Sequence, residues 1–408
     1  MTTNKTLLAV ALSPFAFTLA SCEASAGGDS SVAPQSTSSA QGVAAAIDET
    51  VGPFAITDMG RFDEPWAADF IPGTSMLFIT EKGGSAKIVD TATREMVTVD
   101  GLPEVDYGGQ GGQGGLGDVA FLASESAPDM DRRTIYLTWA EAGDGDTRGA
   151  ALGRGVLVCE EADACSVEGL NVIWRQTPKV TGRGHYSHRI TFSPDGKYLV
   201  LASGDRQKKT PAQELSNNLG AILRLNLDGT PAAGNPFADQ GSPSDEIWSY
   251  GHRNTLGIDF DPNGQLWNLE HGPAGGDELN LIEPGRNYGW PLVSDGDNYD
   301  GTPIPDNDAR PDLAGPVVNW TPVIAPGDFL FYTGDMFPAW KGDALIANLK
   351  TMSIVRVAMG GIDSRTGREA NRWDLGERLR EIVQGPDGAL YVLEDGEDAR
   401  LRKLTPAG

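Results

Sequence analysis

The sequence predicts an all-β fold, and within that class a six-bladed β-propeller, from three observations. Glycine (52 residues) and proline (26) are plentiful in the 408-residue chain while aromatic residues are about average, a composition that suits many short strands joined by turns. One phrase recurs: an apolar pair, a Pro-Asp/Asn-Gly turn, an alternating apolar strand and a closing glycine. The copies also fall at a near-constant spacing.

Three copies are plain: "ITFSPDGKYLVLASGD", "IDFDPNGQLWNLEHG" and "IVQGPDGALYVLEDG". The turn glycine supplies positive φ and the alternation supplies a period of two, so each copy reads as a hairpin. In chain order the first hairpin is "FIPGTSMLFITEKGG", turning near Pro72, and the second is "VAFLASESAPDMDRRTIYLTWAEAG". The third and fourth turn at Pro194 and Pro262, which stand 68 residues apart. The fifth, "FLFYTGDMFPAWKGDALIANLK", starts its second strand after Gly342-Asp343, and the sixth turns at Pro386, 124 residues beyond Pro262. Pro72 lies 122 residues before Pro194, again two steps of about 61. Six sheet units of this kind protect their edges best by closing radially, and a propeller places its sites on loops around the central channel. A sandwich or a solenoid is the alternative reading of the same repeats.

Ahead of the repeats, "MTTNKTLLAVALSPFAFTLASCEASAGG" reads as a secretory signal over residues 1–21, ending in the lipobox Leu19-Ala20-Ser21-Cys22. Cleavage there leaves a lipidated Cys22, and an ordinary cleaved signal is the alternative. Residues 22–48 are Ser/Ala/Gly-rich and read as a flexible tether, leaving 49–408 as the propeller domain. The expected location is therefore outside the cytoplasm, periplasmic or at the cell surface, with Cys22 as the only membrane attachment. The remaining pair, Cys159 and Cys165 in "CEEADAC", is most simply a disulfide, since no further Cys or His lies nearby to complete a zinc site. A formal net charge of -25 excludes nucleic acid and anionic membrane surfaces as electrostatic partners.

Against that charge, the few basic and imidazole groups stand out. The chain has four histidines, His185, His188, His252 and His271, each beside a repeat strand or a glycine-rich turn. His185 and His188 sit three apart, and on an extended run their side chains point to opposite sides, which argues against a shared metal. Arg253 and Asn254 in "YGHRN", Lys350 in "IANLKTMS", and Arg378 and Arg380 in "ERLREIVQG" sit at comparable repeat positions and suit an anionic ligand. The plainer reading of Arg378-x-Arg380 is a solvated strand face paired with Glu377 or Glu381. "GGQGGQGGLGDVAF" lacks the Lys-Ser/Thr ending of a P-loop and leads into a strand, so it reads as a loop at the channel mouth with Gln113 as a polar contact. "LEHGPAGGDELNLIEPGRNYGWP" offers carbonyl-rich turns and acids at Gly272, Pro273, Asp277, Glu278 and Glu283, oxygen ligands of the kind that favour Ca²⁺.

These strings together resemble one family. "EIWSYGHRNTLGIDFDP", "EHGPAGGDELNLIEPGRNYGWPLV", "WTPVIAPG" and "GERLREIVQGPDGALYVL", in this order, are similar to the soluble, pyrroloquinoline quinone (PQQ)-dependent aldose sugar dehydrogenases, also called glucose/sorbosone dehydrogenases. The resemblance runs through nearly all of residues 50–405 and implies a six-bladed propeller. It makes His185 the general base and Arg253 its catalytic partner, with Gln113, Arg253, Asn254, Tyr299, Lys350, Arg378 and Arg380 on the cofactor. It puts the carbonyls of Gly272 and Pro273 on a catalytic Ca²⁺, and Glu278 and Tyr288 at a second, structural calcium. The implied reaction oxidises an aldose at its anomeric carbon to a lactone and passes electrons to an acceptor of a respiratory chain, in a monomer or dimer. Two positions differ from the family: His188 stands where glycine is usual, and Gly115-Leu116-Gly117-Asp118 replaces Gly-Leu-Leu-Gly or Gly-Leu-Leu-Asp. Two other functions share the fold: a calcium-dependent propeller lactonase, which has no use for Lys350, Arg378 and Arg380, and a non-catalytic sugar-binding lipoprotein.

Overall fold

All six predicted hairpins form in the computed structural model, which describes residues 48–108, 113–127, 130–161, 164–361 and 365–408. The signal segment, Cys22 and the tether up to residue 47 lie outside the described residues, and those described belong to the unit Ala45–Gly408. The first strands of the hairpins are β1 (Pro65–Phe70), β2 (Leu116–Phe121), β3 (Ser187–Phe192), β4 (Thr255–Phe260), β5 (Pro326–Phe331) and β6 (Leu379–Gln384). Each pairs antiparallel with the strand after its turn, respectively Met76–Glu81, Arg132–Ala142, Tyr198–Ser203, Leu266–Glu270, Ala344–Asn348 and Leu390–Glu394. Helix among the described residues is limited to five 3-10 turns of three or four residues, and none is long and apolar enough to cross a membrane.

The hairpins extend into sheets. β3, β4 and β5 each open a four-stranded sheet, while β6 ends a five-stranded one in which Phe54–Phe62 pairs with Ala399–Pro406, so the two ends of the described chain share a sheet. β1 and β2 lie at opposite ends of one eight-stranded sheet, whose halves join through parallel pairing of Val99 and Asp100 with Cys165 and Ser166. That sheet curls nearly closed, because β1 and β2 touch. The six first strands contact one another in the cyclic order β1, β2, β3, β4, β5, β6 and back to β1.

Both faces of these sheets are buried, as the alternation shows. In Tyr198–Ser203, Leu199 and Leu201 join the cluster around Tyr136 and Leu223, while Val200 and Ala202 join the opposite cluster around Ile258 and Tyr288. Polar staples tie the first strands together: Asp69 accepts from Phe121 N (3.0 Å), Asp118 from Ile190 N (2.8 Å) and Asp259 from Phe331 N (3.1 Å). Burial pushes the carboxyl of Asp69 up to about 7 and that of Asp259 up to about 6. Arg189 of β3 spans the ring, donating to Leu256 O (2.6 Å) and Gly327 O (3.0 Å), pairing with Glu381 (2.6 Å) and lying 4.1 Å from the Trp66 ring. Cys159 and Cys165 are disulfide-bonded as expected, opposite each other across an antiparallel pair with Cα atoms 4.3 Å apart.

Candidate active site

One end of the ring of first strands carries a cleft of about 420 Å³. Its wall is built from two repeat positions. Residues at or just before the start of a first strand supply Trp66, His185, His188, Arg253, Asn254, Arg378 and Arg380. Residues one or two past the end of a second strand supply Lys82, His271, Leu349 and Asp395, and place Asp205 directly behind the wall. All six first strands shift register near their beginning, a β-bulge that re-aims side chains where the strands meet the cleft.

His185 is almost fully buried, and its Nδ1 lies 2.7 Å from Asp205 Oδ1. An ionised carboxylate only accepts, so Nδ1 carries the proton and Nε2 keeps a lone pair. Asp205 is itself fixed by Trp290 Nε1 (2.8 Å) and by the backbone N–H groups of Gln207 (2.8 Å) and Lys209 (3.2 Å). Burial alone would raise the Asp205 carboxyl, but its hydrogen bonds from His185 and Trp290 more than reverse this and hold it below the usual carboxylate range. Burial pushes the His185 imidazole below its ordinary value; Asp205 opposes this, and the charges of Arg253 and Arg206 add to it. The ring is therefore neutral at neutral pH and able to accept a proton. Gln113 Oε1 accepts the backbone N–H of His185 at 2.8 Å, so the loop glutamine orients the base.

His188 and His185 do face different neighbours, but not because the run is extended. His185, Ser187 and His188 have φ of +50°, +58° and +51°, in the left-handed region. The His188 ring packs tilted against Trp66, with ring centres 4.8 Å apart, and a Cβ on Gly117 would stand 2.1 Å from it, so this glycine makes room for that ring. Burial, with Arg189 and Arg206 nearby, pushes His188 down to about 3. Its Nδ1 is buried without a hydrogen-bond partner.

Arg253 is held at both ends. Glu270 accepts its backbone N–H (2.7 Å) and also binds His252 Nδ1 (3.0 Å), while the guanidinium donates to His271 O (3.0 Å) and Tyr299 OH (3.1 Å). Its Nε is buried and unpartnered. On the opposite wall, Lys82 (3.1 Å), Arg378 (2.7 Å) and Arg380 (2.8 Å) share the single carboxylate of Asp395. Against the effect of burial, Arg380 and Lys82 hold Asp395 well below the usual carboxylate range. The partner of Arg378 and Arg380 is thus Asp395, while Glu381 turns away to Arg189 and Glu377 lies 3.9 Å from Arg400. No other acid lines the cleft among the described residues, so its walls hold four cations and one anion. Such a surplus, partly shielded from water, fits a ligand with several carboxylates.

The other expected residues fall elsewhere. Gly272, Pro273 and Lys350 line an adjoining cavity of about 460 Å³, which shares His271 and Tyr299 with the cleft. A Cβ on Gly272 would stand 2.1 Å from Gly275 O and 2.2 Å from Gly276 O, so the turn packs carbonyl oxygens where only glycine fits. Glu278 and Tyr288 line neither space. Glu278 is bound by Asn280 (3.2 Å) and Asn307 (3.1 Å), and Tyr288 donates its hydroxyl to Leu281 O (2.6 Å) while its ring stacks on His252 at 4.6 Å.

The family model for "Glucose / Sorbosone dehydrogenase" matches residues 62–403. The chain belongs to this glucose/sorbosone dehydrogenase family. Aldose sugar dehydrogenase YliI of Escherichia coli is 36% identical over 353 residues, covering 85% of this chain and 91% of the relative. The crystal structure of the soluble aldose sugar dehydrogenase of Escherichia coli in its apo form superimposes with a TM-score of 0.78 at 33% identity, over 87% of this chain and all of that one. The PQQ-bound form of an aldose sugar dehydrogenase from Streptomyces coelicolor shares the fold, with a TM-score of 0.67 at 24% identity over 87% of this chain and 99% of that one.

For this member of the glucose/sorbosone dehydrogenase family, sequence reading missed Asp205, Lys82, Asp395 and Trp290. The first three were within reach: each follows the second strand of a repeat, the position of His271 and Lys350. Trp290 carried no such signal, because its contact with Asp205 spans 85 residues.

Proposed function

We propose that this chain is a PQQ-dependent aldose dehydrogenase built as a six-bladed propeller, one blade for each first strand. The observation that carries the reading is the His185–Asp205 pair, a neutral and oriented base, facing a cleft whose walls hold a surplus of positive charge. Bound PQQ supplies a two-electron acceptor for the hydride that leaves sugar C1. Lys82, Arg378 and Arg380 would bind its carboxylates, adding charge-assisted hydrogen bonds of roughly 1.5–3 kcal/mol each to a wall that now shares one Asp395. Arg253, free at Nε, and Asn254 reach the same space from the other side. His185 Nε2 removes the proton of the anomeric hydroxyl, and Asp205 stabilises the imidazolium that results. The product is the lactone, and electrons go on to an acceptor of a respiratory chain. Ca²⁺ would be held by the carbonyls of Gly272 and Pro273, in a turn whose backbone oxygens crowd around Gly272, because carbonyl oxygen suits this hard cation. Glu278 with Tyr288 as a second calcium site belongs to the same reading.

Purified protein supplied with PQQ and Ca²⁺ is expected to reduce a redox dye with at least one aldose, and to lose that activity on chelation. Absence of both dye reduction and quinone binding across an aldose panel would refute the reading. The lipobox motivates a second part: an exported lipoprotein tethered through Cys22 near its electron acceptor. Detergent, and not high salt, is expected to release it from membranes. An unmodified amino terminus on a fully soluble protein refutes the tether.

A further inference from the structure

Arg206 follows Asp205 and is as fully buried, yet among the described residues no carboxylate lies within ion-pair distance of its guanidinium. Every contact it makes is to an uncharged group. Nε donates to Gly184 O (2.9 Å), Nη2 to Gly182 O (2.6 Å), and Nη1 to Arg148 O (2.7 Å) and Gln176 Oε1 (3.4 Å). Its flat face lies 3.7 Å from the centre of the Tyr186 ring. Burial lowers the group to about 10, which leaves it charged at neutral pH. Asp205 and Asp106 act on it only from a distance, and a buried cation without a paired carboxylate is costly and stays only where something else requires it.

The two carbonyls it grips belong to the segment that carries His185. That segment is strained: its non-glycine residues His185, Ser187 and His188 all sit in the left-handed region. Such a backbone persists only when its surroundings over-determine it. Here the backbone N–H of Arg206 bonds His185 O (3.2 Å) and that of Gly204 bonds Tyr186 O (3.1 Å), and the guanidinium fork pins the residues just before. The charged and titratable groups facing His185 are Asp205, Arg253, Arg206 and His271. Asp205 favours the protonated ring, while the two arginines favour the neutral one.

We propose that Arg206 is a positioning residue for His185: its fork, tied to Gly182 and Gly184, fixes the left-handed segment that presents the imidazole to the cleft, and its guanidinium adds positive charge behind that imidazole. The proposal rests on His185 being the base of the reaction proposed above. Two variants separate its halves. Arg206→Lys keeps the charge and loses the fork; Arg206→Gln loses both.

NMR titration of histidine-labelled protein resolves His185, since the chain has four histidines and His185→Ala removes one signal. In Arg206→Lys, kcat is expected to fall about 10- to 100-fold, as a misplaced base costs, with sugar KM within about threefold and the His185 titration unmoved. In Arg206→Gln the same loss is expected, and His185 titrates at higher pH than in the wild type. Quinone affinity should hold in both. If both variants keep kcat within about threefold, or Arg206→Gln leaves the titration where it was, the proposal is overturned. The wild-type titration needs no variant to fold: His185 protonating at or above about 6.5, the ordinary value, also overturns it. The NMR readings need neither sugar nor quinone. An inactive wild type with the expected titrations would therefore sink the dehydrogenase reading and leave the positioning of His185 standing.

Discussion

Replacing His185 with alanine is expected to lower kcat for aldose oxidation by on the order of 10²–10⁴-fold, the usual contribution of a positioned general base. The size follows from what the cleft offers in its place. Among the groups lining it, His188 and His271 are the other imidazoles; burial pushes each down to about 3, and His271 Nε2 is occupied by Pro326 O at 2.6 Å. Lys82 is tied to Asp395, and Asp395 to three cations. None can take over the proton. Quinone affinity should change little, because Lys82, Arg378 and Arg380 do not touch His185. Steady-state dye reduction and a quinone titration measure the two quantities separately. A variant that keeps kcat within about threefold would remove His185 from the role.

The pH dependence has a definite sign. The neutral ring is the active form, and burial holds the imidazole below its ordinary value, so wild-type activity should fall only as pH drops below the ordinary histidine range. A limb at or above that range would contradict the buried, Arg-flanked environment.

How much of this was legible in the sequence depends on what kind of signal each feature leaves. The six hairpins were readable because a turn glycine and a period of two are local, and local patterns survive in a linear string. The pairing of Cys159 with Cys165 was local too. The merging of the first two hairpins into one eight-stranded sheet was not, since it rests on a short parallel contact at Val99 and Asp100 that no periodicity marks. Residues on the cleft wall were legible when they stood out from a strongly acidic chain, as Arg253, Arg378 and Arg380 did. Asp395 and Asp205 were hidden by the same acidity: two acids among 57 look unremarkable until the fold puts one beside three cations and the other behind an imidazole. The left-handed run through His185, Ser187 and His188 was illegible for another reason, because none of the three is a glycine and non-glycine residues take positive φ only uncommonly. The bulges at the start of every first strand were likewise invisible, yet they decide which side chains enter the cleft.

Asp205→Asn is expected to cost nearly as much as losing the base itself, on the order of 10²–10⁴-fold in kcat, although the substitution is isosteric. The carboxylate accepts at 2.7 Å from Nδ1 and so forces the proton onto that nitrogen. An amide can instead donate to Nδ1, which moves the ring proton to Nε2 and leaves no lone pair facing the sugar. Trp290 Nε1 and the Gln207 and Lys209 N–H groups all donate toward this side chain, and their number opposes an amide NH₂ among them. The amide oxygen of the variant would then turn toward some of these donors and its NH₂ toward His185, which is the orientation that spoils the base. Loss of the negative charge also removes the one neighbour that raises the His185 pKa, so any residual activity should keep its acid limb at lower pH than in the wild type. Asp205→Ala, which leaves Nδ1 free to choose its tautomer, should retain more activity than Asp205→Asn if tautomer control is the main role. Equal loss in both would instead assign the effect to the missing charge on the imidazolium, and wild-type rates in Asp205→Asn would show that the dyad has no part in the chemistry.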